Sequence, residues 1–162
     1  MGAIGAEASV WRPAQSAIIA DTIKSLNNTA DSIVNFAETL IGTPYKYASA
    51  DPAQGFDCSG FITYIFNHFN IQVPRSSIGF TNIGTTIPVK NARRGDLILF
   101  TGTDSTEKFV GHMGIVVSNI IDSLQFIHST SGKAYGVTIT PLNDYYKGRF
   151  VKVVRPPLNL PL

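Results

Sequence analysis

The chain has 162 residues, 44% of them hydrophobic, with 14 Gly, 9 Pro and 13 Lys and Arg against 11 Asp and Glu. That length and mixture predict one domain with its own core and exclude disordered and low-complexity classes. A net charge of +2, with no basic run longer than Arg93-Arg94, argues against nucleic-acid binding driven by phosphate contacts.

Residues 1–6 show neither a basic region nor an apolar segment of a secretory signal, which leaves two readings: a cytosolic chain, or one that begins after a removed leader. Residues 1–29 carry scattered Ala, Ser and Asn with weak periodicity and predict a partly helical N-terminal arm. In residues 31–41, Ile33, Phe36, Ala37, Leu40 and Ile41 recur at helical spacing, and Gly42-Thr43-Pro44 ends the pattern. A loop of small residues follows over 45–57. Asp57 is a natural N-cap for a second helix whose apolar face carries Phe61, Ile62, Ile65, Phe66 and Phe69. Beyond Pro74 the pattern is irregular up to Arg94-Gly95-Asp96. Strand-like segments then fall at 97–101, 110–118, 124–129, 136–140 and 150–155, before a Pro156-Pro157 tail spanning 156–162. The apolar stretches at 97–100 and 114–117 are far shorter than the roughly 18 residues of a membrane helix, so no span is expected. Helices first and a strand meander second predict an α+β fold with a central antiparallel sheet of about five strands.

The single cysteine, Cys58, is placed by this reading in the first turn of the second helix. Unpaired backbone N–H groups and the positive helix end favour an anion there, so the thiol pKa is expected to fall. Gly60 in the same turn costs roughly 1 kcal/mol of helix propensity relative to Ala, which implies a close approach to the backbone. A nucleophilic thiol needs a base. His68 lies about 15 Å along the same helix, too far to serve, and reads as a packing or surface residue. His112 and His128 lie on two runs that look like one hairpin. A turn centred near Ile120 would place them opposite each other or one position off, close enough for one imidazole to bond the other. Nucleophile, base and orienter are then all present.

Asp57-Cys58-Ser59-Gly60-Phe61, Arg94-Gly95-Asp96-Leu97, Gly111-His112-Met113-Gly114-Ile115 and Phe126-Ile127-His128-Ser129 occur in that order. Together they resemble the NlpC-type cell-wall peptidases, a papain-like thiol group, over about residues 30–155. The resemblance implies a papain-like core in which Cys58 is the nucleophile, His112 the base and His128 the orienter. It also covers Gly42-Thr43-Pro44-Tyr45 and implies that Tyr45 helps the oxyanion or the substrate; packing on the helix is the alternative for that ring. Asp57 and Ser59 are implied to contact the D-glutamyl part of a stem peptide, although a plain N-cap accounts for Asp57 equally well. Arg75, Ser76 and Ser77 match a stretch lining the substrate side, where a solvated charge is the other reading of Arg75. Two departures fall on that side. Phe80 replaces a usual Gln and is expected to make the pocket less polar, and Ala48-Ser49 replaces Gly-Gly.

The expected protein is thus a cysteine endopeptidase with a Cys-His-His triad, a catalytic domain over 30–155 flanked by the arm and tail, and no second wall-binding module. It would hydrolyse peptidoglycan stem peptides or muropeptides between D-Glu and a diamino acid, through a thioester, with no metal or organic cofactor. The resemblance implies a secreted or periplasmic location, with cytoplasmic as the alternative. The competing readings are a related thiol amidase or acyltransferase, a catalytically silent wall-binding module, and a Cys-His-His zinc site.

Overall fold

The structure, a computed structural model, describes residues 11–104 and 106–158. Expectations for residues 1–10 and 159–162 lie outside the described residues.

Helix α1 runs unbroken over Trp11–Glu38, beginning well before the expected 31–41 segment and ending just short of Gly42, whose φ is +90°. Only its C-terminal part has a bed. Ile33, Val34 and Ala37 are fully buried, whereas Ile18, Ile19 and Ile23 are exposed. Propagating a formed helix costs little per residue, so the packed end carries the upstream turns with it. The division expected at residue 29/30 therefore falls inside this helix.

Next come the short strands β1 (Ala50–Asp51) and β2 (Gly55–Phe56), which pair with each other, and helix α2 (Cys58–His68). Asp57 caps α2 as expected: its backbone is extended and its Oδ1 accepts the Gly60 N–H at 2.6 Å. Phe61, Ile62, Ile65 and Phe66 are fully buried. His68 stacks on Phe36 at a centroid distance of 4.0 Å, and so ties α2 to α1.

The main sheet has six strands in the order β3-β8-β4-β5-β6-β7, with every neighbouring pair antiparallel. These are β3 (Thr85–Ile87), β4 (Leu97–Thr101), β5 (Val110–Ile120), β6 (Ser123–Thr130), β7 (Gly136–Pro141) and β8 (Phe150–Arg155). The strand beyond the expected five is β3. It is an edge strand of three residues, too short to show alternation. A short helix, α3 (Asp144–Lys147), links β7 to β8.

Alternation along β4 divides the interior into two cores. Leu97 and Leu99 join Met113, Ile115, Ile127 and the apolar faces of α1 and α2. Ile98 and Phe100 join Val116, Phe126, Tyr146 and Val153 on the other side. The Arg94-Gly95-Asp96 motif has a structural place here. Asp96, 2% exposed, accepts the Arg93 N–H at 2.8 Å and both Nε and Nη2 of Arg155 at 2.8 Å, which pins the start of β4 to the end of β8.

The β5–β6 turn is centred on Ile121 and Asp122, both at positive φ (48° and 59°), rather than on Ile120. Register pairs Ile115 with Ile127 and Val116 with Phe126, and shifts between Val116 and Ser118. Continued one step, it sets Gly114 across from His128, with His112 on the diagonal. The expected placement of the two histidines, opposite or one position off, is therefore corrected to a diagonal two positions off, still within reach of two imidazole rings.

Candidate active site

Cys58 is the first residue of α2, and its half-buried thiol lies 3.8 Å from the carbonyl oxygen of Gly111 at the start of β5. The 45–57 loop is laced to this helix end: the Asp57 N–H donates to the Ser49 carbonyl at 2.9 Å. A Cβ on Gly60 would come within 2.1 Å of that same Ser49 oxygen, so the close approach expected at Gly60 is present. Ala48, where a glycine was expected, takes a left-handed φ of 57°.

The electrostatics of the thiol overturn one expectation. Burial, and then the charge of Asp57, push Cys58 up to about 11, against the lowering effect of backbone N–H groups at Ser59, Cys58 and Met113. The helix end acts in the direction expected but does not win. Tyr45 is also raised, chiefly by burial and then by Cys58 and Asp57. Its ring packs edge-on against Tyr135, with centroids 5.8 Å apart.

Nε2 of His112 lies 2.8 Å from Nδ1 of His128, and Nε2 of His128 lies 2.8 Å from the Thr140 hydroxyl. Two proton orderings fit these contacts. In one of them Thr140 accepts from His128 Nε2–H, His128 Nδ1 accepts from His112 Nε2–H, and His112 Nδ1 keeps its lone pair to act as a proton acceptor. Phe100, Phe126 and Tyr146 wall in the pair with their rings. His128 is fully buried; burial and then Arg149 lower its pKa to about 4. His112 is held well below its usual value by burial, then by His128 and Arg149. Burial thus favours the neutral forms of the thiol and of both imidazoles. Thr140 was not singled out from sequence, because a threonine in a strand carries no signal of its own.

Two hollows meet at Cys58. Tyr45, Cys58 and Gly111 border both. One, of about 460 Å³, is lined by Asp57, Ser59, Arg75, Ser76 and Ser77, so the sequence-predicted substrate residues do gather beside the thiol. Arg75 reaches Asp57 with both Nη atoms (3.1 and 2.8 Å) and the Ser59 hydroxyl at 3.2 Å. Ser77 donates to the Val110 carbonyl at 3.4 Å. Phe80 corrects an expectation: it is fully buried in the main core and lines neither hollow. The second hollow, of about 1050 Å³, contains His112 and extends to Lys133, Tyr145 and Arg149, a region sequence reasoning did not identify.

The fold has counterparts among known proteins. The γ-DL-glutamyl hydrolase of Bacillus subtilis is 31% identical over 80% of this chain and 30% of its own length. The probable endopeptidase NlpC of Escherichia coli is 32% identical over 83% of this chain and 79% of its own. An NlpC/P60 family protein from Bacillus cereus superposes with a TM-score of 0.69 at 30% identity, covering 82% of this chain and 40% of that one. The chain thus spans about a third of the length of the Bacillus subtilis hydrolase. The profile of the NlpC/P60 family matches residues 42–155, which takes in Tyr45, Cys58, both core histidines and the sheet that holds them. That match covers most of the chain, and the chain belongs to the NlpC/P60 family.

Proposed function

We propose that this protein is a cysteine endopeptidase that hydrolyses peptidoglycan stem peptides between D-Glu and the following diamino acid, through a thioester on Cys58. The observation that carries the reading is a thiol on the border of two hollows, one of which it shares with an imidazole whose Nε2 lies 2.8 Å from another histidine. As Sγ attacks the carbonyl carbon, His112 Nδ1 takes the thiol proton, and the C–O π pair moves onto oxygen. The Cys58 N–H and the Tyr45 hydroxyl are the donors for that oxyanion. The imidazolium then protonates the departing amine as the C–N bond breaks, leaving the acyl group on sulfur. Water, deprotonated by the same nitrogen, releases the acid and restores the thiol. His128 and Thr140 act through His112; they hold its tautomer.

In this reading the catalytic unit spans 30–155, flanked by the N-terminal arm and the tail, and the protein works outside the cytoplasm. The relatives support that setting: they include a probable peptidoglycan endopeptidase LytE and a bifunctional muramidase/DL-endopeptidase CwlT, both of Bacillus subtilis. The histidine pair favours nucleophilic chemistry over a zinc site, because two of its four ring nitrogens are spent on one another. The hollow beside Asp57 and Arg75 would take the L-Ala-γ-D-Glu part. Incubation with L-Ala-γ-D-Glu-diamino acid tripeptides should release intact L-Ala-D-Glu by mass, and Cys58→Ala should release none. Release of L-Ala alone, or of sugar-linked fragments from muropeptides, would overturn the reading.

A further inference from the structure

The larger hollow holds a cation, Arg149, that forms no ion pair among the described residues. Arg149 donates through Nε and Nη2 to the Thr101 carbonyl (3.3 and 2.8 Å) and through Nη1 to the Tyr145 hydroxyl at 2.7 Å. Its guanidinium also lies over the Tyr145 ring, 5.0 Å from the centroid, and 5.7 Å from that of Tyr146. The ion pairs among the described residues engage Arg75, Arg94, Lys147 and Arg155; none engages Arg149. Three contacts fix the planar fork, and a guanidinium has five N–H donors, so two remain for a ligand. The Tyr145 hydroxyl accepts from Arg149 and keeps its own proton to donate. Lys133 lines the same hollow and is exposed.

We propose that this hollow receives the departing amino acid and that Arg149, with Tyr145, grips a carboxylate of that residue. The inference rests on the proposed endopeptidase reading and adds to it a recognition site on the leaving side. His112, which must protonate the departing amine, lines this hollow and not the one beside Arg75, so the leaving side is fixed by the acid that serves it. Asp104 and Glu107 also line the hollow, and their charge suits a leaving residue that carries a second amine as well as a carboxylate. A carboxylate on Arg149 has a further consequence. Burial chiefly holds both imidazoles down and the charge of Arg149 adds to it, so neutralising that charge would remove only the smaller part of the lowering at His112.

The test compares L-Ala-γ-D-Glu-L-Lys bearing a free C-terminal carboxylate with its carboxamide. Wild-type kcat/KM should favour the carboxylate by about tenfold or more, as expected for a charge-assisted pair. Arg149→Gln should cut that preference to below about twofold, and Arg149→Lys should keep part of it, because the charge survives while the fork is lost. Tyr145→Phe, which removes one hydroxyl from an exposed ring, should lower the preference about threefold, and it gives a reading should the Gln variant fail to fold. Equal cleavage of both peptides by the wild type, or an undiminished preference in Arg149→Gln, overturns the inference while leaving the endopeptidase reading intact. Cleavage of neither peptide by the wild type overturns both.

Discussion

Gly114 stands across the β5–β6 ladder from His128, and a Cβ built on it would lie 3.2 Å from the His128 Cβ. The same Cβ would come within 2.8 Å of the Ile127 carbonyl oxygen and 2.7 Å of the Phe126 ring. The glycine makes room for the buried imidazole to lie over the sheet. Gly114→Ala should therefore displace His128 from His112, with a stability loss of about 1–3 kcal/mol typical of overpacking. Thermal melts should register the stability loss, and kcat should fall at least about tenfold as the base loses its support.

The two histidines should separate in kinetics. His112→Ala removes the proposed base, and kcat should drop by about 10³. His128→Gln keeps a polar partner for His112 Nε2 and should lose about one to two orders of magnitude. Thr140→Val leaves both rings and should cost several-fold, because only the anchor of His128 Nε2 is gone. His68→Ala should leave kcat unchanged while lowering the melting temperature, since its ring packs on Phe36 outside the site. Steady-state assays with one tripeptide substrate check the whole series.

Burial of these groups fixes the pH behaviour. With His112 held well below 6.5, protonation silences the proposed base only in acid, so the acid limb of kcat/KM should lie well below pH 6.5. Alkylation of the free enzyme by iodoacetamide should climb towards pH 11 without a plateau near neutrality, following the thiol at about 11. A plateau near pH 7 would show a preformed thiolate instead.

Asp57 links substrate side and thiol. Arg75→Gln should raise KM more than it lowers kcat, because the Arg75–Asp57 pair borders the acyl-side hollow and is equally present before and during reaction. Asp57→Asn keeps a side-chain oxygen for the Gly60 N–H but removes a charge that raises Cys58. The alkylation profile of that variant should shift to lower pH while α2 stays folded by circular dichroism.

Buried His128 also predicts acid lability. Its folded pKa of about 4 lies below the unfolded value near 6.5, so the unfolded chain binds the extra proton between them. The contribution of the neutral ring is complete above pH 6.5 and lost as pH falls to about 4, a swing on the order of 3 kcal/mol. Denaturation midpoints between pH 7 and 4 should fall less steeply in His128→Gln than in the wild type.

Much of this arrangement was legible because it rests on local rules. The Asp57 cap, the apolar face from Phe61 to Phe66 and the close approach at Gly60 follow from helix chemistry. Strand alternation put His112 and His128 on one face, and a turn misplaced from Ile121-Asp122 to Ile120 did not separate them. What sequence could not show depends on tertiary surroundings. The Cys58 thiol was read from the helix end, whereas burial and Asp57 decide its charge. Phe80 was read as lining a pocket, yet its ring fills the core. Thr140 and Arg149 join the site only once β7 and the α3 turn fold back onto β5 and β6, and neither belongs to a motif.

Because Cys58 lies on the saddle between two basins and His112 opens onto only one, the two products of the proposed acyl-enzyme route leave at different times. The amine departs first, from the basin on the Arg149 side, while the acyl half stays moored on sulfur above Asp57 and Arg75. Its exit empties the space in front of His112, and that vacancy is where the hydrolytic water enters. A free amine in high concentration would occupy the same berth, intercept the thioester and run the reaction backwards. The division of the cleft thus sets the sequence of traffic as well as the fit of the substrate.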